Sequence, residues 1–153
     1  KNVAIIGGGI GIFPLYEFAK EAQKEANTNI YLGFRSKDFV VLADEFKNVA
    51  NNLIITTDDG TYGNSGFAIN YLEKDLNEKN IDAIYACGPL PMLKAVKKLA
   101  ESKNFFCQIS LEQRMACGVG ACRGCSVKLT TEDVNYARVC KDGPVFDSKS
   151  VEI

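Results

Sequence analysis

The sequence predicts an α/β protein: a five-stranded parallel sheet with helices on both faces, followed by a small cysteine-rich β domain. Two features of the chain support this prediction. Up to residue 111, short apolar runs alternate with segments of helical periodicity, a pattern typical of parallel sheets. Beyond residue 111 the helical periodicity ends, and four of the six cysteines lie there.

Each predicted element follows from its local pattern. Strands are expected where apolar, β-rich residues run together, and helices where apolar residues recur every three or four positions. Pro14 suits the first turn of the first helix, because the N–H groups of that turn have no partner within the helix. The expected strands are 2–6, 29–34, 53–57, 82–86 and 105–111, and the expected helices are 14–26, 40–46, 66–76 and 90–102.

The change of character near residue 112 predicts a domain boundary. We expect one domain over residues 1–111 and a second over residues 112–153. The second has too few core residues to fold without a metal or a covalent cross-link. Because Lys1 directly precedes a predicted core strand, we expect the chain to be a fragment of a longer protein.

The composition excludes several functional classes. Eighteen basic and 19 acidic residues nearly balance, so nucleic acid and anionic membranes are not expected partners. No apolar run approaches the roughly 20 residues that cross a bilayer. The alternation of strands and helices is typical of cytosolic nucleotide-binding domains, so we expect a cytoplasmic protein with reduced thiols.

The absence of histidine narrows the chemistry further. It excludes serine–histidine and cysteine–histidine catalysis, and zinc sites with mixed cysteine and histidine ligands. It also excludes a Rieske cluster, which needs two histidine ligands. A metal site in this chain therefore depends on sulfur or oxygen ligands.

Four cysteines have the spacing C-x4-C-x2-C-x14-C. The first three match the spacing that holds a [2Fe–2S] cluster in plant-type ferredoxins, where a distant fourth cysteine completes the set. Zinc and disulfide bonds are the alternatives, but zinc sites of four cysteines usually contain two C-x2-C pairs and this region has one. We therefore predict a [2Fe–2S] cluster whose ligands are Cys117, Cys122, Cys125 and Cys140.

A glycine loop, Gly7-Gly8-Gly9-Ile10-Gly11, follows the first predicted strand and precedes a helix. This is the context of a pyrophosphate-binding turn, although the G-x-G-x-x-G spacing is not met and a simple tight turn is an alternative. In dinucleotide-binding domains an acidic residue after the second strand binds the adenosine ribose, but here Arg35 follows that strand. A basic residue at this position is compatible with a 2′-phosphate. Cys107 is expected to be a buried strand residue, whereas Cys87 ends a strand at the edge where ligands bind.

The motifs GGGIGIFPL and YACGPLPMLKAV resemble the nicotinamide-binding domain of the ferredoxin–NADP reductase superfamily. This resemblance implies a ferredoxin reductase-like fold for residues 1–111. It implies that a dinucleotide contacts Gly7, Gly8, Gly9 and Gly11, and that its nicotinamide contacts Cys87, Gly88 and Pro89.

The motifs EQRMACGVGAC and VCKDGPVF resemble the electron-transfer subunit family of type B dihydroorotate dehydrogenase, and DDGTYG places Asp59 near the dinucleotide by the same resemblance. The family implies an oxidoreductase subunit in which electrons pass through [2Fe–2S] and FAD to NAD. They come from an FMN-containing partner subunit that oxidises dihydroorotate to orotate in pyrimidine biosynthesis, in an expected heterotetramer. By this resemblance the chain carries no catalytic residue.

By this resemblance, the chain looks like the family protein without its N-terminal flavin barrel. A nicotinamide exchanges two electrons as hydride and a cluster carries one, so a flavin is expected between them in the intact protein. Similar subunits serve sulfhydrogenases and ferredoxin-linked transhydrogenases, and these remain alternatives, as does a zinc-stapled nucleotide-binding module. Arg123, between two expected ligands, either tunes the cluster or is simply solvated.

Overall fold

The computed structural model describes residues 1–131, 133 and 135–153. The strands are β1 (Asn2–Gly8), β2 (Asn27–Phe34), β3 (Asn52–Thr57), β4 (Asn64–Ser65), β5 (Ala83–Cys87), β6 (Phe106–Ser110), β7 (Ser126–Leu129), β8 (Tyr136–Arg138), β9 (Val145–Asp147) and β10 (Val151–Glu152). The helices are α1 (Ile12–Ala22), α2 (Ala43–Val49), α3 (Ala68–Glu78), α4 (Leu90–Ser102) and α5 (Val139–Asp142).

The main sheet has the strand order β4-β3-β2-β1-β5-β6-β9. From β1 the chain moves outward through β2 and β3, and it then returns to place β5 on the other side of β1. The strand order therefore reverses between β1 and β5. Open α/β sheets bind ligands beyond the carboxyl ends of the strands at such a point.

The predicted fold class is confirmed, but the prediction of five strands is wrong, because the main sheet has seven. The short β4 pairs in parallel with β3, and β9 pairs antiparallel with β6. Both strands are only two or three residues long, too short to give a strand signal in the sequence. Because β9 comes from residues 145–147, the cysteine-rich region adds a strand to the main sheet, and the domain boundary at residue 112 stays a prediction.

Helices cover both faces of the sheet, as the sequence predicts. Alternate residues of β1 point to opposite faces, so Ile5 packs with α1 and α2, while Ile6 packs with α3 and α4. Each face of the sheet therefore has its own apolar core.

The remaining strands form a second sheet with the order β10-β7-β8. Its buried residues Val127, Ala137 and Val151 belong to the same apolar core as α3 and α4. The cysteine-rich region therefore packs directly against the main core. In the described parts of the chain, every helix is too short or too polar to cross a membrane.

Candidate functional site

The glycine loop and the end of β5 are packed against each other at the carboxyl edge of the sheet. Gly7 pairs with Cys87 in the parallel register of β1 and β5. A Cβ atom on Gly11 would lie 2.5 Å from the carbonyl oxygen of Cys87 and 2.6 Å from the Cα atom of Gly88. Only glycine permits such a close approach, so the spacing of these two turns depends on Gly11.

A cavity of about 650 Å³ opens beside this contact, beyond the ends of β1, β2 and β3. Its size is in the range typical of small-molecule sites. The walls are mostly apolar, and Arg35 and Asp58 are the charged residues among those that line it. The lining residues include Gly8, Arg35, Phe39, Asp58, Phe67 and Met92.

The residues predicted to contact a dinucleotide divide into two groups. Gly8, Gly9 and Pro89 line the cavity. The others are not among its lining residues: Gly7 is a buried residue of β1, and Gly11, Cys87 and Gly88 form the contact between the two turns. A Cβ atom on Gly88 would lie 2.9 Å from the backbone nitrogen of Gly8, so the second group packs against a residue that lines the cavity.

Cys87 is half-buried, and burial raises the pKa of its thiol; the Ser110 side chain, which lowers it, offsets only part of this effect. The negative charge of Glu112 raises the pKa further. The Cys87 thiol is therefore neutral at neutral pH and is not a thiolate nucleophile.

The carboxylate of Asp59 points into its own loop. It accepts hydrogen bonds from the Thr61 hydroxyl at 2.7 Å and the Thr61 N–H at 3.0 Å, and these bonds lower its pKa. The neighbouring Asp58 lines the cavity together with Arg35. Asp58 is not among the site residues that the sequence predicts. Its position directly after β3, at the ligand-binding edge, was the available signal.

The four predicted ligand cysteines lie in two stretches that the small sheet brings together. Cys117 and Cys122 belong to the loop between β6 and β7, Cys125 directly precedes β7, and Cys140 lies in α5 after β8. Pairing of β7 with β8 places the two ends side by side, and the Val139 N–H donates to the Cys125 carbonyl at 3.1 Å.

N–H···S hydrogen bonds link the four cysteines in two pairs. The N–H of Cys122 donates to the Cys117 sulfur at 3.4 Å, and the N–H of Cys140 donates to the Cys125 sulfur at 3.5 Å. Within the described residues, no three His, Cys, Asp or Glu side chains gather around one point suited to a single metal ion. Two pairs of thiolates are the donor set of a [2Fe–2S] cluster, since each iron takes two.

The environment of the sulfurs also fits thiolate ligands. N–H groups of Cys122 and Val119 lower the pKa of the Cys117 thiol to about 6, and the N–H of Cys140 lowers the pKa of Cys125. Contact between the Cys140 and Cys125 sulfurs raises the pKa of Cys140. The loop thus directs backbone dipoles at sulfur, as a cluster site requires.

The backbone of the ligand loop enters the left-handed region three times. Gly118 and Gly120 have φ values of 68° and 81°, and Arg123 has 59°. Glycine adopts this conformation at little cost, which explains its frequency between the cysteines.

Residues 5–98 match the profile of the oxidoreductase NAD-binding domain. The chain belongs to this family. Residues 112–152 match the iron–sulfur cluster binding domain of dihydroorotate dehydrogenase B, a second family. The two matches follow each other in the order that the sequence predicts, and they confirm the expected NAD-binding domain and iron–sulfur domain.

Curated relatives confirm the resemblance to electron transfer subunits. The chain is 42% identical over 152 residues to the "Dihydroorotate dehydrogenase B (NAD(+)), electron transfer subunit" of Caldanaerobacter subterraneus, covering 99% of this chain and 59% of that protein. It is 46% identical to the subunit of the same name from Fusobacterium nucleatum, covering 100% of this chain and 58% of the relative. The chain thus spans less than two thirds of these proteins.

Solved structures confirm the ferredoxin-reductase-like fold. A chain of an NADH-dependent reduced ferredoxin-NADP oxidoreductase, studied for flavin-based electron bifurcation, superposes with a TM-score of 0.86 at 33% identity, covering 99% of this chain and 54% of that one. The C-terminal domain of the PF1911 hydrogenase from Pyrococcus furiosus superposes with a TM-score of 0.57 at 19% identity, covering 72% of this chain and 90% of that domain. The second match concerns the fold alone.

Proposed function

We propose that this chain is the nicotinamide- and cluster-binding part of a type B dihydroorotate dehydrogenase electron transfer subunit. In the proposed reaction an FMN-containing partner oxidises dihydroorotate to orotate, and electrons pass through [2Fe–2S] and FAD to NAD in pyrimidine biosynthesis. The observation that carries this proposal is the arrangement of four cysteine sulfurs in two pairs, in the chain that also forms the cavity at the end of β1.

In this proposal Cys117 and Cys122 bind one iron, and Cys125 and Cys140 bind the other. The backbone N–H groups that contact the Cys117, Cys122 and Cys125 sulfurs would stabilise the negative charge of the ligand set. When bound, a cluster carries single electrons, a nicotinamide carries hydride, and a flavin exchanges both.

The dinucleotide is proposed to lie in the cavity. Gly8, Gly9 and Pro89 contact it, and Gly7, Gly11, Cys87 and Gly88 support the floor beneath it. Asp59 contributes through the loop that it holds together with Thr61. We further propose that residues 1–111 and 112–153 are the two functional units.

The proposed assembly is a heterotetramer with the FMN-containing catalytic subunit, located in the cytoplasm, with FAD bound mainly by protein outside this chain. The near balance of 18 basic and 19 acidic residues supports partners other than nucleic acid or anionic membranes.

A second candidate function is that of a subunit in a ferredoxin-linked transhydrogenase. It is favoured by the TM-score of 0.86 with the NADH-dependent reduced ferredoxin-NADP oxidoreductase. Sequence identity is 33% in that comparison and 46% with the dihydroorotate dehydrogenase subunit of Fusobacterium nucleatum, which favours the first proposal.

The test is anaerobic purification of the protein together with its bound partner. We expect visible absorption bands that bleach with dithionite, and reduction of NAD by dihydroorotate once the FMN subunit is present. Activity with reduced ferredoxin but not with dihydroorotate would support the second candidate. A colourless protein with one equivalent of zinc would overturn both.

A further inference from the structure

Arg138, the last residue of β8, contacts both stretches of chain that carry the four cysteines. Its guanidinium donates to both carboxylate oxygens of Asp142, from Nε at 2.9 Å and from Nη2 at 3.1 Å. The third nitrogen, Nη1, donates to the carbonyl oxygen of Gly120 at 3.1 Å. The backbone N–H of Arg138 also donates to Asp142, at 2.8 Å.

These contacts connect the ligand loop to α5. Gly120 lies between Cys117 and Cys122, and Asp142 lies two residues after Cys140. The carbonyl oxygen of Gly120 accepts the hydrogen bond from Arg138 Nη1. Arg138 therefore connects Gly120, in the loop of the first cysteine pair, to Asp142, in the helix that carries Cys140.

Only a planar guanidinium can make this set of bonds. Two of its nitrogens match the two carboxylate oxygens of Asp142, and the third points away toward Gly120. A lysine ammonium is a point charge and cannot hold both partners in the same geometry. The Arg138 side chain is 29% exposed and that of Asp142 is 35% exposed, so water screens the pair only partly.

We propose that Arg138 and Asp142 form a positioning pair for a [2Fe–2S] cluster. This inference rests on the proposed function at one point, namely that the four cysteines hold such a cluster. Arg138 holds Gly120 and keeps the two cysteine pairs at cluster-binding distance. The opposite charges of the two side chains, which flank Cys140 in the sequence and are joined across α5, also set the reduction potential.

The first test measures cluster retention in anaerobically purified protein, as the rate at which EDTA bleaches the visible absorption. Loss of a residue that supports metal ligands typically costs about 10- to 100-fold in metal affinity. We expect Arg138→Gln to bleach about tenfold faster than wild type and Arg138→Lys to be intermediate. Lys128→Gln is the matched control, because Lys128 forms a 2.8 Å ion pair with Glu152 in the same small sheet and should leave the rate unchanged.

The second test separates positioning and charge from a general loss of stability. Reduction adds one electron to the cluster, so a nearby positive charge favours the reduced form. Arg138→Gln leaves Asp142 uncompensated and should lower the potential, whereas Asp142→Asn leaves Arg138 uncompensated and should raise it. Arg138→Lys should restore a potential close to wild type. A dithionite titration with redox mediators measures the reduction potential of the wild type and of these three variants.

Shifts of opposite sign, together with fast bleaching in Arg138→Gln, would support the proposal. Equal bleaching in Arg138→Gln and Lys128→Gln, or the same potential in all variants, would overturn it while leaving the proposed function intact. If Arg138→Gln does not fold, the nearly isosteric Asp142→Asn decides: it must raise the potential and speed bleaching. A wild-type protein without bleachable bands would instead overturn the proposed function, and this inference with it.

Discussion

Gly11 lies so close to Cys87 that a Cβ atom on Gly11 would stand 2.5 Å from the Cys87 carbonyl oxygen. Real Cβ atoms essentially never come within 3.0 Å of another heavy atom of this kind. The atom in the way belongs to the backbone of β5, so a side-chain movement cannot relieve the clash. The loop after β1 and the end of β5 therefore form one unit, and the cavity rests on it.

Gly11→Ala should separate these two turns. We expect it to lower the free energy of unfolding by about 1–3 kcal/mol, the usual cost of overpacking, and to abolish NADH binding because the cavity floor moves. Urea unfolding and a fluorescence titration with NADH measure the two effects. Gly33→Ala is the control for the free energy of unfolding alone, because its Cβ would make an ordinary 3.5 Å contact with Ala68 and Gly33 itself lines the cavity. Equal destabilisation in both variants would contradict the prediction.

Cys140→Ser should remove or greatly weaken the cluster. A serine hydroxyl is a poor replacement for a thiolate, and one iron would lose one of its two protein ligands. The measurement is the visible absorption of anaerobically purified protein. Cys107→Ala is the matched control, because Cys107 is 1% exposed in β6 and packs in the apolar core. An unchanged spectrum in Cys140→Ser would show that the fourth ligand is a different residue.

The carboxylate of Asp58 in the cavity wall predicts a preference for NADH over NADPH. A carboxylate at this position accepts a hydrogen bond from a ribose hydroxyl, but its negative charge repels a 2′-phosphate. Asp58→Ser leaves Arg35 to attract that phosphate, so the ratio of NADPH to NADH affinity should rise by about tenfold, which corresponds to about 1.4 kcal/mol.

Equilibrium titrations with both dinucleotides measure this ratio. Asp59→Asn is the control, because the Asp59 carboxylate binds Thr61. We expect Asp59→Asn to weaken both dinucleotides equally. A changed ratio in Asp59→Asn and an unchanged one in Asp58→Ser would assign the ribose contact to Asp59 instead.

The sequence predicts most of the fold because its strongest signals are long. The five apolar strand runs and the helical periodicities each extend over several residues, and all five strands lie close to their predicted positions. The sequence predicts helix α2 at 40–46, whereas the helix begins at Ala43. The reason is that Leu42, just before it, adopts a left-handed conformation with φ of 57°. Apolar residues at 40–42 extended the predicted pattern too early. The strands β4 and β9 were missed because neighbouring chain segments, not their own residues, define them.

The candidate site is predictable only where its residues form a local pattern. Spacing along the chain predicts the four cysteine ligands, since a loop with C-x4-C-x2-C must curl back on itself. Which sulfurs pair cannot be read from spacing, because the pairing of β7 with β8 decides where Cys140 lies. The roles of Asp58 and Arg138 were missed for a similar reason: each depends on contacts between segments far apart in the sequence.

Stability should fall in acid because of a buried carboxylate on α3. Asp75 is 7% exposed and accepts hydrogen bonds of 2.6 Å from the Tyr31 hydroxyl and from the Lys79 ammonium. Burial raises the pKa of Asp75, but the bonds from Lys79 and Tyr31 outweigh it and leave the pKa below its ordinary value. A carboxyl with a lowered folded pKa stabilises the protein above its unfolded pKa of about 4. This contribution is lost as the pH falls through the lower, folded value.

Asp75→Asn should therefore be less stable than wild type at pH 7, by about 1–3 kcal/mol, and the difference should shrink as the pH falls below about 4. Urea unfolding at pH 7, 5 and 3 measures this, and it is independent of any cofactor. Glu21→Gln is the control, because Glu21 forms an exposed ion pair with Lys24. We expect that variant to follow the wild-type pH dependence closely. A constant difference between Asp75→Asn and wild type from pH 7 to pH 3 would show that the Asp75 charge does not stabilise the fold.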